Sequence, residues 1–156
     1  MDAASFAPLV AALLLLIISF PVHEAAHATA AWQLGDGHAR VLGRVSLDPR
    51  RHIDPLGAGL LLLSALSGGG MIGWAKPTPV MAQSLRGGSL GWALVALAGP
   101  LSNLALAVVA AALYRVLGGL PFTELAGALI VYFTYFNVGL FFLNLLPIPP
   151  FDGRAL

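Results

Sequence analysis

The sequence predicts an all-α polytopic membrane protein in one domain: three transmembrane helices, a small β-hairpin or sheet, and a re-entrant segment. Three observations lead there. Of 156 residues, 58% are hydrophobic and 10% charged, where a soluble domain carries about 25% charged residues. The charges leave four long gaps, at 3–22, 55–75, 87–114 and 125–151, and about 20 apolar residues cross a bilayer core as a helix. The basic residues sort to one side only if one of those gaps enters the membrane without crossing it. The same composition excludes disorder, which needs high charge and low hydrophobicity. A net charge of +1 supplies no basic footprint for a nucleic-acid partner. With no cysteine in the chain, any metal must be held by His, Asp or Glu.

The first helix is expected over 4–32. Asp2 is the only charge ahead of it, whereas a cleaved signal peptide opens on basic residues, so this segment reads as a retained span. The polar stretch 33–54 follows and holds 7 of the 15 charges. Within it, short β-branched runs on either side of Gly43 read as a hairpin. The apolar run 55–67 is 13 residues long and stops at Gly68-Gly69-Gly70. A run of that length is more often re-entrant than spanning. Trp74-Ala75-Lys76-Pro77-Thr78-Pro79-Val80 is read as extended chain, because a residue before proline is pushed out of the helical region. The hairpin and re-entrant region thus covers 38–80, and two further spans are expected over 88–117 and 123–146.

Lys and Arg collect on the cytoplasmic side of membrane proteins. Four spans divide the eight basic residues 5 to 3. Three spans and a re-entrant segment place Arg40, Arg44, Arg50, Arg51, Lys76, Arg86 and Arg154 together against Arg115 alone, or 7 to 1. The three-span arrangement is therefore expected, with the N-terminus outside. Non-helical backbone at membrane depth must be covered by protein or line a cavity, so the re-entrant piece should wall one near the cytoplasmic face.

Chemistry concentrates in His23-Glu24-Ala25-Ala26-His27, an H-E-x-x-H pattern. On a helix the two histidines lie one turn apart on one face and can reach one ion. Zinc suits imidazole and carboxylate ligands, and Glu24 is placed to take a proton from water on that ion. Composition alone would produce the pattern about 0.001 times in a chain of this length. Three ionisable groups at the end of an apolar helix are costly in lipid unless they serve a site. A third ligand is needed. Asp152 is favoured over His52 or Asp54, because the prolines before it break the last helix and the charge distribution brings that end to the face of His27.

His23 to His27, Gly99-Pro100-Leu101-Ser102-Asn103, and Asn144-Leu145-Leu146-Pro147 through Asp152-Gly153 resemble the three signature elements of the site-2 protease family, intramembrane zinc metalloproteases. Gly35-Asp36, Arg51-His52-Ile53-Asp54-Pro55 and Gly73-Trp74-Ala75-Lys76-Pro77 resemble its compact branch, which lacks a PDZ domain. The resemblance covers nearly the whole chain. It implies one Zn2+ per chain held by His23, His27 and Asp152, Glu24 as general base, and a three-helix catalytic core with a small sheet dipping into the membrane. The partners it implies are a transmembrane protein substrate and the lipid bilayer. Two departures stand out: Phe151 occupies a position that is usually leucine, and the chain ends three residues after Gly153, where the family continues into helical sequence.

Asn103 shares a helix face with Gly99. It could contact substrate backbone or steady the oxyanion, or serve as interhelical packing. His52 could contact substrate or stand behind the ligands. Either 74–80 or the hairpin could offer a strand edge to an unwound substrate. Expected function is an intramembrane zinc endopeptidase. The alternative is a catalytically silent membrane protein that binds metal or clients.

Overall fold

Five helices form the frame: α1 (Ala7–Gln33), α2 (His38–Val41), α3 (Pro55–Ser67), α4 (Ser89–Leu117) and α5 (Glu124–Asn144). The computed structural model describes residues 7–68, 70–117 and 124–156. The expected helix starts at 4 and 123, and Gly69, lie outside the described residues. α1, α4 and the stretch Leu125–Asn144 of α5 run 27, 29 and 20 residues, each long and apolar enough to cross a bilayer. α3, at 13 residues, is about 20 Å long and too short to do so. This is the composition and helix content of a membrane protein.

α1 is not uniform. Leu15–Ser19 forms a π-helical turn, closed by the Phe20 N–H on the Leu15 carbonyl. Pro21 follows directly, and a proline inside a helix has no N–H for the preceding turn and crowds its carbonyl. The wider turn relieves that crowding and resets the helix phase immediately before His23 and His27. Ala12, Leu15, Leu16 and Phe20 then pack with Leu61 and Ala65 of α3. Further along, Ala31 packs with Val95 of α4 and with Leu85.

The buried face of α4 is made of small residues: Gly91, Ala96, Gly99, Ala107 and Ala110, with Val95, Pro100 and Asn103 among them. Small residues let helix backbones approach closely in a membrane, and here they admit α1 on one side. The last helix, α5, leaves most of its surface uncovered: only 6% of its apolar window is buried.

The hairpin expected around Gly43 is absent; there is no strand among the described residues, and 38–41 is the short helix α2. The local chemistry explains the difference. Asp36 accepts the His38 N–H at 2.9 Å, which starts a helical turn. Gly43, at φ +72°, then ends it: its N–H bonds Arg40 O and the Arg44 N–H bonds Ala39 O, the pairing that closes a helix on a left-handed glycine. The glycine flanked by Val41 and Val45 is a helix stop rather than a strand turn. The small sheet reduces to one isolated antiparallel bridge, Ile53 with Ala75.

α3 begins on Asp54, whose carboxylate accepts the N–H groups of Leu56 and Gly57, a side-chain cap ahead of Pro55 at the first turn. It ends on Gly68 at φ +70°. The chain then doubles back along α3, where the Ile72 N–H bonds Ser64 Oγ at 2.9 Å. From there it runs extended across α1, fastened by Lys76 N–H to His52 O, Thr78 N–H to Glu24 and Met81 N–H to Asp36.

Candidate metal centre

α1 presents His23 and His27 on one face, with Nε2 atoms 3.0 Å apart. Asp152 joins them from the far end of the chain: its Oδ2 lies 3.2 Å from each Nε2. It is carried there by the prolines that end α5 and by Gly153. A Cβ on Gly153 would meet Leu145 O at 2.4 Å, so only glycine lets the 3-10 turn Asp152–Ala155 fold against the end of α5. These three residues form the cluster, among the described residues, that could hold a metal ion.

Their hydrogen bonds test whether a cation fits. His23 Nδ1 lies 2.6 Å from Asn103 Oδ1, and His27 Nδ1 lies 2.7 Å from Val95 O. Both partners are acceptors, so each imidazole must carry its proton on Nδ1 to make these bonds. The neutral rings then turn bare Nε2 lone pairs toward each other and toward a carboxylate. Three acceptors converge with no donor between them, an arrangement that needs positive charge at its centre. Ligands about 2.0–2.1 Å from a tetrahedral zinc lie roughly 3.3 Å apart; the observed 3.0 and 3.2 Å are close to that.

Asn103 is fully buried, and both ends of its amide are used. Oδ1 faces His23, and Nδ2 donates to Asn137 Oδ1 at 2.9 Å; Asn137 Nδ2 in turn donates to Phe133 O. Asn103 therefore fixes the tautomer and orientation of His23, and its amide is turned between that ring and Asn137, away from the protein surface. Gly99, one turn earlier, lies directly beneath the rings. A Cβ there would sit 2.3 Å from His27 Nε2 and 2.7 Å from His23 Cε1.

Glu24 is buried beside the ligand pair. Its Oε2 accepts the Thr78 N–H at 2.7 Å and lies 3.8 Å from an Arg44 nitrogen, while its backbone carbonyl accepts Thr78 Oγ1. Among the described residues, no donor is bonded to Oε1. Thr78 lies within the extended segment the sequence marked out, but Arg44 was not singled out, and no feature of the sequence separates it from the other arginines of its loop. Arg44 is buried and donates to the carbonyls of Arg51 and Lys76. Burial lowers its pKa and Glu24 opposes the shift.

The other expected residues fall elsewhere. His52 is fully buried, with Nε2 donating to Ser46 O at 2.7 Å; it pins the loop and offers no surface to a substrate. Asp54 caps α3. The extended segment has no free ladder donors between 76 and 79. Lys76 and Thr78 N–H are bonded inward, and Pro77 and Pro79 have none.

Comparisons with known proteins agree with the metal chemistry. A Bacillus subtilis (strain 168) protein named "Putative zinc metalloprotease YwhC" is 38% identical over 147 residues, covering 90% of this chain and 64% of that protein. "Putative zinc metalloprotease Rip2" of Mycobacterium tuberculosis (strain ATCC 25618 / H37Rv) is 39% identical over 143 residues, covering 89% of this chain and 52% of its own. Rip2 of Mycolicibacterium smegmatis (strain ATCC 700084 / mc(2)155) is 35% identical over 139 residues. The chain thus spans about half to just under two thirds of the length of these curated relatives. No protein-family model matches it, and no solved structure matches it.

Proposed function

We propose that this chain, similar to bacterial proteins named "Putative zinc metalloprotease" and resembling the site-2 protease family in its motifs, is an intramembrane zinc endopeptidase. It hydrolyses a peptide bond in or near the transmembrane segment of a membrane-protein substrate. The observation that carries this reading is the convergence of three lone-pair ligand atoms within 3.2 Å of one another beside Glu24. α1 and α4 flank that cluster, and Asp152 reaches it from the chain beyond α5.

His23 and His27 would hold the ion through Nε2 and Asp152 through Oδ2. Bound zinc supplies Lewis acidity, which lowers the pKa of a coordinated water and polarises a carbonyl. The protein's own groups do the rest. Asn103 and the Val95 carbonyl keep both imidazoles in the ligand tautomer. Thr78 and Arg44 hold Glu24 by one carboxylate oxygen and leave the other for proton transfer. Glu24 takes a proton from the attacking water as its oxygen adds to the carbonyl carbon, then gives that proton to the departing amide nitrogen as the C–N bond breaks. α1 and α4, which flank the site, are apolar helices, so a substrate arrives through lipid. The 7 to 1 division of basic residues expected for three spans supports a multi-pass protein with its site toward the cytoplasm.

Two variants test the reading. Purified in detergent, the parent should hold about one zinc per chain, and Asp152→Asn should lose most of it. Glu24→Gln should keep zinc and lose cleavage of a transmembrane-peptide reporter by about 100-fold or more. Equal zinc in parent and Asp152→Asn removes the ligand assignment. Undiminished cleavage by Glu24→Gln removes the base, and a metal-binding or client-binding scaffold then becomes the better account.

A further inference from the structure

We propose that the cavity framed by Arg44, Arg50, Arg51 and Lys76 binds the phosphate of an anionic phospholipid headgroup. The cavity measures about 430 Å³ and lies between the loop after α2 and the extended segment beyond α3. Arg44 builds it. Its guanidinium bonds the carbonyls of Arg51 and Lys76, fastening together the two segments that carry the other cations. Its Nε is buried and, among the described residues, has no partner.

The charges in this cavity are not balanced from within. Arg50 and Lys76 are exposed, and among the described residues neither side chain has a carboxylate partner. Arg51 meets Asp48 at 3.9 Å and Arg44 meets Glu24 at 3.8 Å, both at the long end of ion pairing. Four cations thus face two loosely held carboxylates, and the surplus positive charge calls for an anion. A phosphate suits arginine forks and a lysine ammonium together.

The surroundings point to a lipid as the bearer of that phosphate. Leu42, Pro77 and Pro79 make an apolar wall. The same loop exposes Val41 at 86%, Leu47 at 65% and Leu42 at 54%. Large apolar side chains standing out beside unpaired Arg and Lys make up the pattern of a segment resting in a membrane interface. Each cation there gains from the anionic headgroups of the cytoplasmic leaflet.

The test uses the full chain in neutral detergent. Native mass spectrometry counts bound phosphatidylglycerol against phosphatidylcholine, with inorganic phosphate as competitor. The parent should retain phosphatidylglycerol selectively. Arg50→Gln/Lys76→Gln, two exposed positions outside the metal centre, should weaken that retention roughly thirtyfold. Arg86→Gln/Arg115→Gln removes the same net charge elsewhere and should leave retention unchanged. Equal loss in both double variants would reduce the effect to net charge and overturn the site. Retention with no preference between the lipids, or full displacement by inorganic phosphate at low millimolar concentration, would overturn the lipid assignment.

Discussion

The proposed metal centre would depend on atoms that bind no metal. Asn103 Oδ1 and Val95 O each take the Nδ1 proton of one histidine, and Gly99 leaves the space the rings occupy. Such partners commonly change metal affinity by about 10–100-fold. Asn103→Leu should therefore weaken zinc binding by that factor, while Asn103→Asp, which keeps an acceptor facing His23, should retain more of it. Gly99→Ala puts a methyl group 2.3 Å from His27 Nε2 and 2.7 Å from His23 Cε1, so both rings must shift away from their ligand positions, and the variant should lose zinc at least as severely. Competition with a chromophoric chelator measures both, and unchanged helical circular dichroism separates them from unfolding. At this scale the shared face of His23 and His27 could be read from the sequence, because an i, i+4 pair on a helix shares a face regardless of tertiary context. The use of Asn103 could not be read. Its position on the α4 face was clear, but whether its amide meets a substrate or a histidine depends on how α1 and α4 dock.

At the scale of elements, long apolar helices are dictated by composition, and all three can be read from the gaps between charges. The loop 33–54 could not, because its outcome rests on side chains that compete for backbone groups. Asp36 and Gly43 turn a β-branched stretch into a helical turn, and Arg44 and His52 then hold the loop to the rest of the molecule. His52 makes this loop sensitive to pH. Its Nε2 donates to Ser46 O, and its Nδ1 is buried without a partner among the described residues. Burial is the main cause that lowers its pKa. Arg44 adds to the shift, and Ser46 O, Glu24 and Asp48 oppose it. Between the folded pKa and the ordinary value near 6.5, the unfolded chain binds a proton that the folded chain does not. Stability must then fall as pH drops through that window. Thermal unfolding in detergent should show the midpoint falling from pH 7 to pH 5. His52→Gln, which keeps the donor to Ser46 but cannot titrate, should show a shallower fall. Parallel profiles for parent and variant would remove His52 as the cause.

For the whole molecule, the remaining question is which ends share a side of the membrane. The answer turns on α3. At 13 residues it spans about 20 Å, against a hydrocarbon core of about 30 Å. The chain after it returns along its own side, through Ile72 to Ser64 and Lys76 to His52. A helix that is too short, followed by chain retracing it, cannot deliver Arg86 to the opposite face from Asp48. The absence of native cysteine makes this directly measurable. Asp48→Cys and Arg86→Cys should label from the same side of an oriented membrane with an impermeant maleimide, and Arg115→Cys, in the last turn of α4, only from the other. Were α3 to cross, Asp48→Cys and Arg86→Cys would label from opposite sides, and Arg86→Cys would still oppose Arg115→Cys. The pair at 48 and 86 is thus the informative one. Labelling of both from the cytoplasmic side would also place the basic cavity against the anionic leaflet.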